Sequence, residues 1–162
     1  MQFNSFVNAY NLHNSRNFFY ICGLSLCLHG IFFIHPFCMK PKILLVDDLI
    51  LNRILLKEIL AEIGVDFDEA KNGKQAVDML IAKDYDLILM DIEMPVMNGI
   101  EFLVKLKADD RYKEIPVTMV TTEIERHKVI EAIGKGAKNY VMKPFTQEDL
   151  IGKIMESLGM GL

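Results

Sequence analysis

Residues 87–99 read LILMDIEMPVMNG, and the fold turns on how they are read. Four consecutive apolar residues suit a strand buried on both faces. An acid, Asp91, follows with no transition, and then a loop carrying Pro95, Asn98 and Gly99. An aspartate held at the rim of a core needs a reason. A helix cap or a turn supplies one, and so does chemistry; the neighbouring segments decide between them.

Toward the amino terminus, KILLV (42–46) is another short buried-strand run. Leu51, Ile54, Leu55, Ile59 and Ile63 recur at helical spacing and predict a helix over 50–63, with Gly64 as its stop. DFDEA (66–70) is a polar strand suited to an edge, and Asn72-Gly73 turns the chain into a helix running through Leu80. Toward the carboxyl terminus, a helix over 100–107 leads to the strand VTMV (117–120), a helix over 125–135 closed by Gly134 and Gly136, and the strand NYVM (139–142). Thr146 and Asp149 have the spacing of a capping box and open a last helix that reaches about 158.

Five strands alternating with five helices predict parallel pairing through right-handed crossovers. The result is a doubly wound α/β sheet with helices on both faces. Ligands of such sheets sit beyond the carboxyl ends of the strands. Asp47 and Asp48 follow strand one, Asp91 strand three, Thr121 strand four and Lys143 strand five, so all five share one rim. Singly, each has a plain reading: Asp48 as a cap of the first helix, Asp91 as the start of a turn, Thr121 as a cap of the fourth helix, Lys143 as a surface lysine.

As a group they pose an electrostatic problem. Carboxylates within a few ångströms repel by roughly 1–4 kcal/mol per pair near a protein surface, so they take up protons or bind a cation. With no histidine or cysteine beside them the donor set is all oxygen, which suits Mg2+. Mg2+, a carboxylate and a fixed lysine form a phosphoryl-transfer constellation, in which a carboxylate can itself be the nucleophile.

The 162 residues allow one ordinary domain and a tail; 51% are apolar and 25% charged, enough for a real core with a soluble surface. The net charge of −4 offers no basic stripe for nucleic acid. All 22 acidic residues lie at or after Asp47, whereas residues 1–38 carry one charge, Arg16. The expected division is therefore an apolar extension over 1–38 and a domain over 39–162. That domain contains no cysteine and is compatible with a reducing compartment.

Within the extension, FFYICGLSLCLHGIFFI (18–34) holds no charge. At about 1.5 Å per residue it reaches roughly 26 Å, the lower limit for a bilayer span. Three readings stand: upstream sequence before a natural start at Met39, a membrane anchor, or an export signal. If it is an anchor, Lys40 and Lys42 against Arg16 favour a cytoplasmic domain; no A-x-A-like cleavage site follows the run. Cys22, Cys27, His29, His35 and Cys38 match no familiar zinc spacing.

VDD (46–48), A-x-NG-x-x-A (70–76), D-x-x-MP-x-MNG (91–99), VTT (120–122) and Y-x-x-KPF (140–145) together resemble bacterial response-regulator receiver domains, particularly the stand-alone chemotaxis type. The likeness covers about residues 40–160. It implies a flavodoxin-like sheet of order 2-1-3-4-5 in a cytoplasmic protein that accepts phosphate from a histidine kinase of chemotaxis type. It further implies Asp91 as phosphoacceptor and Mg2+ held by Asp48, Asp91 and the Glu93 main-chain carbonyl, with Asp47 acting through water. Lys143 would pair with the phosphoryl oxygens, fixed by a cis bond to Pro144. Thr121 would bind the phosphoryl group, and Tyr140 would follow it inward.

Thr122 stands where the family favours a smaller residue, so its bulk bears on phosphoryl access. Glu93 and Glu123, two residues beyond Asp91 and Thr121, are expected to be either solvated acids or modulators of hydrolysis. His127 is expected to be solvated. The chain closes soon after the fifth helix, so the expected output is a protein-binding face on helix four, strand five and helix five. Its partner is a flagellar motor switch protein, or a histidine phosphotransfer protein if the chain is an intermediate relay; a membrane-tethered receiver is the third reading.

Other classes fit less well. A haloacid-dehalogenase-type phosphatase needs a second acid two residues after its nucleophile; VDDLIL lacks one, and LMDIE offers only Glu93. NGK (72–74) lacks the glycine-rich run of a P-loop. A flavin binder would want hydroxyls and glycines, not two acids, after the first strand. A binding module that never takes phosphate would not need this set of Asp, Thr and Lys.

Overall fold

Apolar runs bounded by turn residues become five parallel strands: β1 (Lys42–Val46), β2 (Asp66–Ala70), β3 (Leu87–Asp91), β4 (Val117–Thr122) and β5 (Asn139–Lys143). They alternate with α1 (Ile50–Glu62), α2 (Gly73–Ala82), α3 (Gly99–Ala108), α4 (Arg126–Gly134) and α5 (Gln147–Ser157). The structure, a computed structural model, describes residues 40–122 and 126–160. The sheet order is β2-β1-β3-β4-β5, with the polar DFDEA strand at an edge, as its composition predicts.

Strand parity divides the core into two layers. Leu44, Val46, Ile88, Met90, Val117 and Met119 face α2, α3 and α4. Ile43, Leu45, Leu87, Leu89, Val120 and Val141 face α1 and α5. All five residues of β3 are buried, which explains why its sequence shows no alternation.

Caps and glycines set the helix ends. Asn72 accepts from Gln75 N at 2.9 Å to start α2. The expected Thr146–Asp149 box opens α5, and Asn98 with Glu101 forms a second, unexpected box on α3. Gly64, at φ 71°, closes α1. Asp48 does not cap α1: Leu49 holds the cap position and no side chain bonds there.

The inward face of α1 also differs from its apolar periodicity. Arg53, Leu56, Ile59 and Leu60 are buried, while Leu51, Ile54 and Leu55 are exposed. At the opposite end of the sheet from the rim, Thr118 and Ser157 share a hydroxyl hydrogen bond of 2.7 Å. Asn139, paired in register with Thr118, donates to the same Ser157 oxygen at 3.2 Å.

Among the described residues no helix is long and apolar enough to cross a membrane. The apolar run at 18–34, the cysteine and histidine set around it, and Glu123 lie outside the described residues.

Candidate functional site

Parity and register bring the rim residues together. Asp47, Asp91 and Lys143 continue the series 43–45–47, 87–89–91 and 141–143, so all three project from the α1/α5 face. Val46 pairs with Met90 and Asp91 with Val120, which sets Asp47 level with Asp91. Asp91, Thr122 and Lys143 are the last residues of their strands and Thr121 the last but one of β4, where the sequence placed them just beyond. The strands run on because the ladder hydrogen bonds need no apolar side chain.

Lys143 Nζ donates to Asp47 Oδ2 at 2.9 Å and to Asp91 Oδ1 at 2.7 Å. Asp47 is 1% exposed and Asp91 8%. Burial alone would pull the Lys143 pKa down, but the Asp91 and Asp47 carboxylates outweigh it and hold it above the ordinary lysine value. The Lys143–Pro144 peptide bond is cis, as expected from the KPF motif.

Asp47 is held from several sides. Its Oδ1 accepts from Leu49 N at 2.8 Å, and Asn52 Nδ2 reaches both carboxylate oxygens, at 3.2 and 3.0 Å. Its main-chain carbonyl accepts from Arg53 Nη1 at 2.7 Å. The same nitrogen donates to the Asp48 carbonyl at 3.0 Å. Arg53 Nε bonds Glu69 on β2 at 3.2 Å, and Lys57 ties Glu69 from its other oxygen at 2.9 Å.

The Asp48 carboxylate, half-buried, stands outside this network. Among the described residues no three acid, histidine or cysteine side chains converge closely enough to hold an ion by themselves. What the fold assembles is two buried carboxylates bridged by one ammonium, with Asp48 next to them in the chain. Formally this leaves one negative charge in the pocket, and two with Asp48. An all-oxygen donor set with surplus negative charge, part of it buried, fits a hard divalent cation.

Gly99 explains the NG of the loop after β3. Its N–H donates to Ile92 O at 2.9 Å, and a Cβ there would stand 2.2 Å from the Asp91 carbonyl oxygen. Gly73 closes the other side, donating to Met97 O at 3.1 Å. Together they press the loop against the strand end that carries Asp91.

The remaining rim residues divide by parity. Thr121, fully buried, has the parity of Met119 and the α3/α4 face, whereas exposed Thr122 pairs in register with Lys143. Tyr140 is 43% exposed and carries the opposite parity to Val141. Glu93 is exposed but forms an ion pair with Lys128 of α4, so it is more than a solvated acid. His127 is exposed and lines, with Glu93 and Lys128, a shallow cleft between α3 and α4. Sequence reasoning missed Asn52, Arg53 and Lys128. A guanidinium interrupting an apolar helix was the one available signal for Arg53.

Residues 43–155 match the response regulator receiver domain. Chemotaxis protein CheY of Pseudomonas aeruginosa is 42% identical over 114 residues, 70% of this chain and 92% of that protein. CheY-3 of Vibrio cholerae is 40% identical over 121 residues, 72% of this chain and 93% of that one. Among solved structures, Vibrio cholerae CheY4 has a TM-score of 0.68 at 32% identity, covering 73% of this chain and 98% of its own. The receiver domain of a Pseudomonas aeruginosa sensor histidine kinase, with a magnesium ion coordinated in its active site cleft, has a TM-score of 0.69 at 26% identity, covering 74% and 98%.

Proposed function

We propose, from the premise that this chain belongs to the response regulator receiver domain family, that Asp91 accepts a phosphoryl group from a partner kinase's phosphohistidine. The acyl phosphate then switches a protein-binding face. The observation that carries this reading is the Lys143 ammonium, which bonds two buried carboxylates, Asp47 just past β1 and Asp91 at the end of β3, at 2.9 and 2.7 Å. A cation held so deep between two acids is poised to follow negative charge when it moves.

In the reaction one Asp91 oxygen attacks phosphorus, the P–N bond breaks as the P–O bond forms, and the imidazole leaves with a proton. Lys143 exchanges its bond to Asp91 for one to a phosphoryl oxygen while keeping Asp47. The Thr121 hydroxyl binds another phosphoryl oxygen, and Thr122, at the exposed strand end, borders the path by which the group arrives. Asp48, Asp91 and the Glu93 carbonyl, with Asp47 through water, would hold Mg2+, which neutralises charge on the transferred group when bound. Glu93, drawn toward Lys128, and Glu123 influence how water reaches the acyl phosphate. The protein acts as a signalling phosphoacceptor rather than as an enzyme on separate substrates.

The output is the α4–β5–α5 face, changed as the buried Thr121 hydroxyl turns toward the phosphoryl group and the half-exposed Tyr140 follows it inward. A bias of about 3 kcal/mol shifts such a balance more than a hundredfold. Similarity near 40% to chemotaxis proteins over most of their length supports a chemotaxis-type kinase upstream and a flagellar motor switch protein downstream. Incubation with acetyl phosphate and Mg2+, followed by intact mass and site mapping, tests the assignment. Label is expected on Asp91 and none on Asp91→Asn; undiminished label on that variant would overturn it.

A further inference from the structure

We infer that Arg53 is a positioning residue for the divalent-cation pocket, setting ion affinity by fixing the backbone from which Asp48 projects. This deepens the reading above and rests on it. The carboxylate of Asp47 has its own anchors in Leu49 N, Asn52 and Lys143. That of Asp48 has none among the described residues. The direction in which it leaves the chain is therefore set by its main chain alone. Arg53 Nη1 binds the carbonyls of Asp47 and Asp48 together, at 2.7 and 3.0 Å. Two consecutive carbonyls turned toward one nitrogen fix the peptide planes on both sides of Asp48.

A simple ion pair with Glu69 would not require this arrangement. The Arg53–Glu69 contact is the longest of the three, at 3.2 Å, and Glu69 is itself shared with Lys57. Arg53 is buried on the core face of α1, with Leu56, Ile59 and Leu60 on the same helix. A leucine there would avoid the cost of desolvating a guanidinium. What the arginine adds is a fixed planar fork that reaches the acid turn with one edge and β2 with the other. Lys57, Glu69 and Arg53 form a brace running from the edge strand to the turn that carries both acids.

The test is Mn2+ binding to the full chain, followed by electron paramagnetic resonance, with Mg2+ competition by calorimetry. The chain has no tryptophan to report binding by fluorescence. Arg53→Met should weaken binding at least tenfold. Arg53→Lys should fall between it and the wild type, because an ammonium lacks the fork, and Glu69→Gln should weaken binding two- to threefold. In an Asp48→Asn background, Arg53→Met should weaken binding by less than twofold further.

A purely structural role predicts a different pattern: lower melting temperature without ion, but the same ion-induced rise as in the wild type. Equal affinities in wild type, Arg53→Lys and Glu69→Gln, or full additivity with Asp48→Asn, would overturn the inference. Should Arg53→Met fail to fold, the lysine and glutamine variants decide. A wild-type chain that binds neither ion overturns the pocket itself, and this inference with it.

Discussion

Replacing Lys143 by methionine keeps most of the side-chain volume and removes the charge between Asp47 and Asp91. The two bonds to Nζ, 2.9 and 2.7 Å, limit the separation of the bonded oxygens to about 5.6 Å. Two unit charges at that distance repel by about 3 kcal/mol at an effective dielectric constant near 20. Losing one partner of a buried ionic set has a cost of the same order, about 3–5 kcal/mol. Lys143→Met should therefore lower unfolding free energy in urea by about 3 kcal/mol at neutral pH without divalent ions. Magnesium should restore most of it, since a ligand at a hundred times its dissociation constant adds about 2.7 kcal/mol. The wild type, whose own ammonium competes for the same oxygens, should gain less at equal magnesium. A loss below about 1 kcal/mol, with the same magnesium response in both proteins, would refute the claim that these carboxylates face each other across the lysine.

Gly99→Ala places a methyl group 2.2 Å from the Asp91 carbonyl oxygen. It should destabilise by about 2–3 kcal/mol and slow labelling by acetyl phosphate; a variant with an unchanged urea midpoint and labelling rate would show that the loop yields freely. Asp68, on the edge strand β2, titrates below the ordinary carboxylate range. Burial pushes its pKa up, but hydrogen bonds from Lys83, Lys42 and Tyr85 prevail and hold it at about 2, below its ordinary 3.8. Its contribution is thus complete above pH 4 and disappears as pH falls through 2. Asp68→Asn should lose about 1 kcal/mol at neutral pH, with the gap to wild type closing between pH 4 and pH 2, as acid-dependent urea titrations would record.

The sheet was legible because each strand is a short apolar run bounded by turn residues, and DFDEA signals an edge by its polarity. Rim residues were legible because an aspartate or lysine at the end of a buried strand has no packing role. The face of α1 was not. ILNRILLKEILAE is apolar around most of its circumference, so periodicity alone does not choose a side, and the inward position went to Arg53. That residue is recognisable only when two carbonyls and a glutamate from separate segments are seen to meet it. Asn52 escaped notice for the same reason: an amide one turn after an acid reads as a solvated helix surface. The β4 and β5 ends, at Thr122 and Lys143, ran past their apolar runs because strand pairing depends on backbone groups that composition does not report.

The Thr118–Asn139–Ser157 trio has a mechanical consequence for the far end of β4. Three polar groups share their hydrogen bonds inside the core, so sliding β4 against β5 or α5 would strand them where no water can replace the lost partners. The strand is in effect clamped at one end, and Thr121 sits three residues along from the clamp. Displacement at the rim must then appear as bending of a fixed beam, not as slippage along its length. Any such bending is concentrated at Thr121 and its register partner Met142, while Thr118 and Asn139 at the opposite end of the sheet stay still.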